Sequence, residues 1–104
     1  MHDALLSFDQ IPWDSPAPGL RSKAIARGGK RFRLVEFGTD FVEPDWCTRG
    51  HAGVVLRGAI DLDVAGTAVT FRAGDGIFIP AGEPTRHRHR ATLETATLFL
   101  VEEG

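Results

Sequence analysis

One cysteine, Cys47, stands among the 104 residues. No internal disulfide can staple the chain, and a reducing, cytoplasmic setting is expected. No run approaches the roughly 18 apolar residues of a membrane-crossing helix. The opening residues also lack a basic region followed by an apolar core, so no export signal is expected. Neither charge sign dominates. A net charge of −2 removes the usual reason to expect a nucleic-acid or anionic-membrane partner. Low-complexity tracts and repeats of roughly 20–50 residues are missing, which sets aside solenoids and propellers. After Gly19 the helical spacing of apolar residues never appears.

What is present suits one small globular domain. Hydrophobic residues make up 42% and charged residues 25%, an ordinary balance, and a chain of this length buries one core. Twelve glycines and six prolines are scattered along it, as expected for short elements joined by tight turns. Residues 1–19 end in Pro16-Ala17-Pro18-Gly19 and read as an arm. Its Leu5, Leu6, Phe8, Ile11 and Trp13 need a surface to cover, either the barrel or a partner; His2 lies in this arm and has no role assigned.

Residues 20–104 read as the barrel. Strands are expected at Leu20 to Ile25, Arg31 to Phe37, Gly53 to Arg57, Ala59 to Val64, Thr67 to Arg72, Ile77 to Ile79, Thr85 to Leu93 and Thr95 to Val101. Ala65-Gly66 reads as a hairpin turn. So many short strands, with turn signals between them, indicate an all-β, antiparallel double-sheet barrel, because closure removes exposed edges.

The segment Gly74-Asp-Gly-Ile-Phe-Ile-Pro80-Ala-Gly82, followed by His87, resembles the second signature of the small single-domain cupins (RmlC-like jelly rolls). That signature is a glycine, five residues, a proline, any residue and a glycine, then a histidine. The first signature is a His-x-His pair, then a glutamate, then a glycine. Anchored on Gly58, it places His51 at the glutamate position, Cys47 at the second histidine and Asp45 at the first. The family's later histidine falls at Thr85. By this resemblance Asp45 and Thr85 lie at ligand-binding positions, and the frame runs from about Arg31 to Val101.

Strand alternation adds to this frame. Residues two apart share a face, so His87 and His89 point inward if Arg86, Arg88 and Arg90 point to solvent. Cys47, His51, His87 and His89 then form a candidate metal-ligand set. Imidazole and thiolate suit a divalent transition metal (zinc, iron, nickel, manganese or copper) better than magnesium or calcium. Plainer roles stay open: His51 as an interior hydrogen-bonding residue, Cys47 as a small buried hydrophobe. Trp46 faces away from Cys47 and suits core or interface packing. Arg31 and Arg33 read by default as a solvated strand face, with an anion-holding pair inside the barrel as the alternative.

No nucleophile–base pair is evident. The expected function is a small-molecule-binding cupin, metal-dependent, acting on a small organic acid, sugar or similar metabolite. Isomerase, lyase and oxygenase chemistry all remain open within the family, as does a non-catalytic ligand-binding or sensor barrel. A homodimer is expected from the apolar arm and from the pairing habit of small cupins.

Overall fold

The computed structural model describes residues 3–103; Met1, His2 and Gly104 lie outside the described residues. The strands are β1 (Asp14–Ala17), β2 (Leu20–Arg27), β3 (Lys30–Phe37), β4 (His51–Val64), β5 (Thr67–Arg72), β6 (Gly76–Ile79) and β7 (His87–Glu103). A single 3-10 turn, Glu83–Thr85, separates β6 from β7. All pairings are antiparallel, in the order β1-β2-β3-β7-β4-β5, with β6 added to β4. The architecture is the expected all-β jelly roll.

β4 and β7 are the long elements, and each works in two neighbourhoods. The first part of β4 lies between β6 and the end of β7; the second part lies between β5 and the start of β7. The sequence suggests a break at Gly58 and another near Glu94, but both strands run through. Irregular pairing between Val55 and Ile60 absorbs the disturbance. Gly58 takes φ +78°, and a Cβ there would lie 2.2 Å from the carbonyl oxygen of Thr95. Only glycine fits this close approach.

The irregularity switches which residues face inward. Before it, Val55 is buried; beyond it, Ile60 and Leu62 are. In β7 the buried set changes likewise from His87 and His89 to Ala96, Leu98, Leu100 and Glu102. With Val35, Ile77 and Ile79 these apolar side chains form the core.

The turn chemistry matches the local sequence. Ala65 (φ 51°) and Gly66 (φ 91°) both adopt the left-handed conformation that a two-residue hairpin requires, and Val64 pairs with Thr67 across it. The amide of Gly66 donates to Asp63 Oδ1 at 2.9 Å. Downstream, Gly74 and Gly82 bracket β6, whose Ile77 and Ile79 are buried while Phe78 is 78% exposed.

The arm lies along its own barrel. Phe8 meets Phe99 edge-on at 6.4 Å, and Lys23 donates to the Phe8 carbonyl at 3.1 Å. Arg27 reaches the carbonyls of Asp3 and Leu5, and Trp13 packs against Arg21 and Lys23.

Candidate metal centre

Three elements bring the expected ligands together. Cys47 lies in the connection between β3 and β4, and its backbone is locked to the start of β7 by two hydrogen bonds: Cys47 N–H to His87 O (2.7 Å) and His87 N–H to Cys47 O (2.9 Å). His51 opens β4 opposite Ile79 of β6. The His51 and His87 rings stand edge-to-face with centroids 4.9 Å apart. One donor atom each from Cys47, His51 and His87 lies within 4.8 Å of the others.

The ring nitrogens are sorted for such a role. His51 Nδ1 lies 2.5 Å from Glu102 Oε2, and His87 Nδ1 lies 3.3 Å from the carbonyl oxygen of Thr85. Each Nδ1 therefore has an acceptor for its proton, leaving Nε2 with the lone pair, the arrangement that metal-binding histidines generally show. His87 Nε2 is buried with no hydrogen-bond partner. An orphaned imidazole nitrogen beside a thiol and a second imidazole is a donor set matched to a borderline-soft cation. Burial lowers the pKa of His87, outweighing the hydrogen bond to the Thr85 carbonyl that would raise it.

Glu102 was not singled out by sequence reasoning, yet it anchors this cluster. Its side chain is 5% exposed. Burial alone would raise its pKa, but the hydrogen bond to His51 and the charge of Arg33 outweigh this and hold the carboxyl below its ordinary range. Arg33 Nη1 contacts both carboxylate oxygens, at 2.9 and 3.2 Å, and Arg31 Nη1 stands 3.9 Å away. The default reading of a solvated face thus fails for Arg33, which lines the interior cavity. A buried carboxylate needs a cation, and the inward register of β3 supplies one.

The other expected site residues are placed elsewhere. His89 is inward and 5% exposed but stands apart from the three-ligand cluster. Its Nε2 lies 2.8 Å from Thr92 Oγ1, and its ring stacks on Phe37 at 4.6 Å. Burial brings its pKa down to about 4. Asp45 is exposed. Thr85 sits in the 3-10 turn with its hydroxyl donating to the Pro80 carbonyl. Trp46 turns outward, as parity requires, and lies against the guanidinium groups of Arg86 and Arg88. Its contacts are charged surface groups rather than core.

Behind the cluster is a cavity of about 160 Å³, walled largely by apolar side chains of β3, β4, β6 and β7. Arg49 and His51 line both this cavity and an outer groove of about 570 Å³. All three donors thus line an apolar chamber, with His51 at its boundary with the groove.

Solved structures share this architecture. KdgF from Halomonas sp. superposes with a TM-score of 0.74 at 23% identity, covering 92% of this chain and 91% of that one. An RmlC-like cupin from Shewanella frigidimarina gives 0.75 at 17% identity, covering 93% and 87%. At such identities the likeness speaks to fold. No curated protein sequence matches the chain. The family model of the cupin domain matches residues 29–102, nearly all of the barrel described above, and the chain belongs to the cupin family.

Proposed function

We propose that this protein is a metal-dependent, small-molecule-binding cupin acting on a small organic acid, sugar or similar metabolite. The observation behind this reading is the convergence of Cys47, His51 and His87 within 4.8 Å, with both histidine Nδ1 atoms already occupied. A divalent transition metal held there would polarise a carbonyl group or activate water or oxygen at a position the protein leaves open. The chain's own residues do the rest. Glu102 fixes the tautomer and orientation of His51, the Cys47–His87 backbone pairing sets the spacing of the other two donors, and the apolar chamber excludes bulk water.

Purified protein, stripped and then reloaded with zinc, should retain about one metal per chain by elemental analysis. His51→Ala should abolish that stoichiometry, and Arg90→Ala, on the exposed face, should leave it intact. The Cys47 thiol should alkylate readily in the stripped protein and slowly in the zinc form. Protein that holds no metal under these conditions would overturn the reading. Metal and ligand bound without turnover would favour a sensor barrel.

The same reading includes a cytoplasmic homodimer. The lone thiol is consistent with a reducing compartment. Phe78, Ala52, Val101 and Phe32 are successive cross-strand neighbours on β6, β4, β7 and β3. They form an apolar row, and Phe78 is its exposed end. Edge strand plus apolar row suits a second copy.

A further inference from the structure

Among the described residues, three buried side-chain nitrogens lack a hydrogen-bond partner: Arg33 Nε, His87 Nε2 and His89 Nδ1. A buried polar group left without a partner destabilises the fold, and folded proteins retain few of them. All three belong to side chains lining one cavity. Coincidence around a single cavity indicates groups kept for something that enters. The metal accounts for His87 Nε2, and the present inference rests on that reading for this contact alone. Arg33 Nε and His89 Nδ1 remain, and they describe a ligand.

Arg33 describes its charged end. Nη1 is committed to Glu102, while the Nε–H is free. A guanidinium presents donors in a planar fork that matches a carboxylate. Arg31, Arg33 and Arg49 line the cavity and its outer groove beside the carboxylates of Glu102 and Glu103. These are already engaged by Arg33 and Lys30, so the open donor of Arg33 rather than net charge selects the anion. Glu43 also lines the cavity, but its carboxylate accepts the backbone N–H of His89 at 2.6 Å. Because Arg33 and His51 share Glu102, an anion arriving at Arg33 lies beside the metal ligands.

His89 describes the other end. Its ring is held between Phe37 and Phe41, at 4.6 and 5.0 Å, with Nε2 paired to Thr92. Only Nδ1 is left to face a ligand, and it suits one hydroxyl or carbonyl oxygen, depending on the tautomer. Phe37 lies four positions beyond Arg33 on β3, a strand length of roughly 13 Å, so the two contacts sit toward opposite ends of the chamber. Between them Val35, Ile60, Leu98 and Leu100 offer no partners to a polyhydroxylated ring.

We infer that the natural ligand is a short carboxylate with an apolar body and a second oxygen function toward its far end. The carboxylate is received by Arg33 and the distal oxygen by His89.

Calorimetric titration of zinc-loaded and metal-free protein with 6-hydroxyhexanoate, hexanoate, hexane-1,6-diol and glucose tests this. In both forms 6-hydroxyhexanoate should bind roughly tenfold or more tighter than the diol, and measurably tighter than hexanoate. Arg33→Lys keeps a cation opposite Glu102 but removes the planar fork, and should erase the preference for acid over diol. His89→Phe keeps the aromatic stack, and should erase only the preference for the hydroxylated acid. A diol or glucose that binds as well as the acids, or no binding by any of the four, would overturn the inference. Zinc retained with acid and diol indistinguishable defeats this inference and spares the metal reading. Loss of zinc with the acid preference intact does the reverse.

Discussion

His51 and Glu102 are separated by fifty-one positions in sequence, and their side chains meet at 2.5 Å in the barrel wall. The carboxylate that orients the imidazole also neutralises Arg33, so one buried charge serves two neighbours.

Replacing it should therefore disturb both. Glu102→Gln leaves Arg33 without its counter-charge and should destabilise the fold by about 2–3 kcal/mol. That is below the roughly 3–5 kcal/mol of a fully buried pair, because the Arg33 side chain is 17% exposed. Zinc affinity should fall about ten- to hundredfold as His51 loses its orienting partner. Urea unfolding of stripped protein and competitive zinc titration separate the two effects. Unchanged zinc affinity would mean that Glu102 supports Arg33 alone.

Acid should weaken the metal-free protein through its interior histidines. Burial lowers the pKa of His89 to about 4 and that of His87 in the same direction, both from 6.5. In that window the unfolded chain binds more protons than the folded one, so stability rises with pH. The histidine contribution is fully present above about pH 6.5. It is lost as the pH falls toward 4, at up to about 1.4 kcal/mol per pH unit for each ring. Glu102, held low, adds its own loss only below the ordinary carboxylate range. Urea midpoints measured from about pH 7.5 down to about pH 4.5 should decline, and less steeply in His89→Phe. A flat profile would contradict the neutral burial of these rings.

Gly58→Ala should be poorly tolerated. The added methyl would meet the Thr95 carbonyl at 2.2 Å in a left-handed backbone. A cost of at least about 2–3 kcal/mol follows, read as a lower thermal midpoint. Gly66→Ala makes a useful contrast, because nothing lies within 4 Å of its Cβ and only the positive φ opposes it.

Pairing of two copies can be probed at Phe78, which is 78% exposed. Light scattering should find a dimer for the wild type at micromolar concentration and a monomer for Phe78→Asp, with little change in thermal midpoint. A monomeric wild type would remove this face from consideration.

Local signals carried much of this molecule. Ala65-Gly66 can turn only as a tight hairpin between alternating strands, and the Gly74–Gly82 run marks a short strand, although it is buried on one face only, with Phe78 turned out. Parity placed His87 and His89 inside, since the arginines between them had to reach water. It also turned Trp46 away from Cys47, though not into core packing, one of the two roles expected of it. Parity could not say how deep each ring sits. His89 shares its face with His87 yet turns toward Thr92 and two phenylalanines. Glu102 was hidden for a different reason. It lies near the end of the chain in a charged stretch, beyond an irregularity that shifts the inward register of β7. For Arg33 the sequence offered both a solvated face and an interior anion-holding role, and alternation alone could not choose between them without the distant buried carboxylate that decides it.

The disturbance at Gly58 and its counterpart in β7 also resets the phase of the two longest strands. Upstream in β4, odd positions look inward; downstream, even ones do. Losing one residue between His51 and Gly58 would turn the centre's histidine outward while leaving the Ala59–Val64 hairpin in step. The chemistry and its scaffold are thus written in separate reading frames of the same strand. Sequence drift can retune one without scrambling the other.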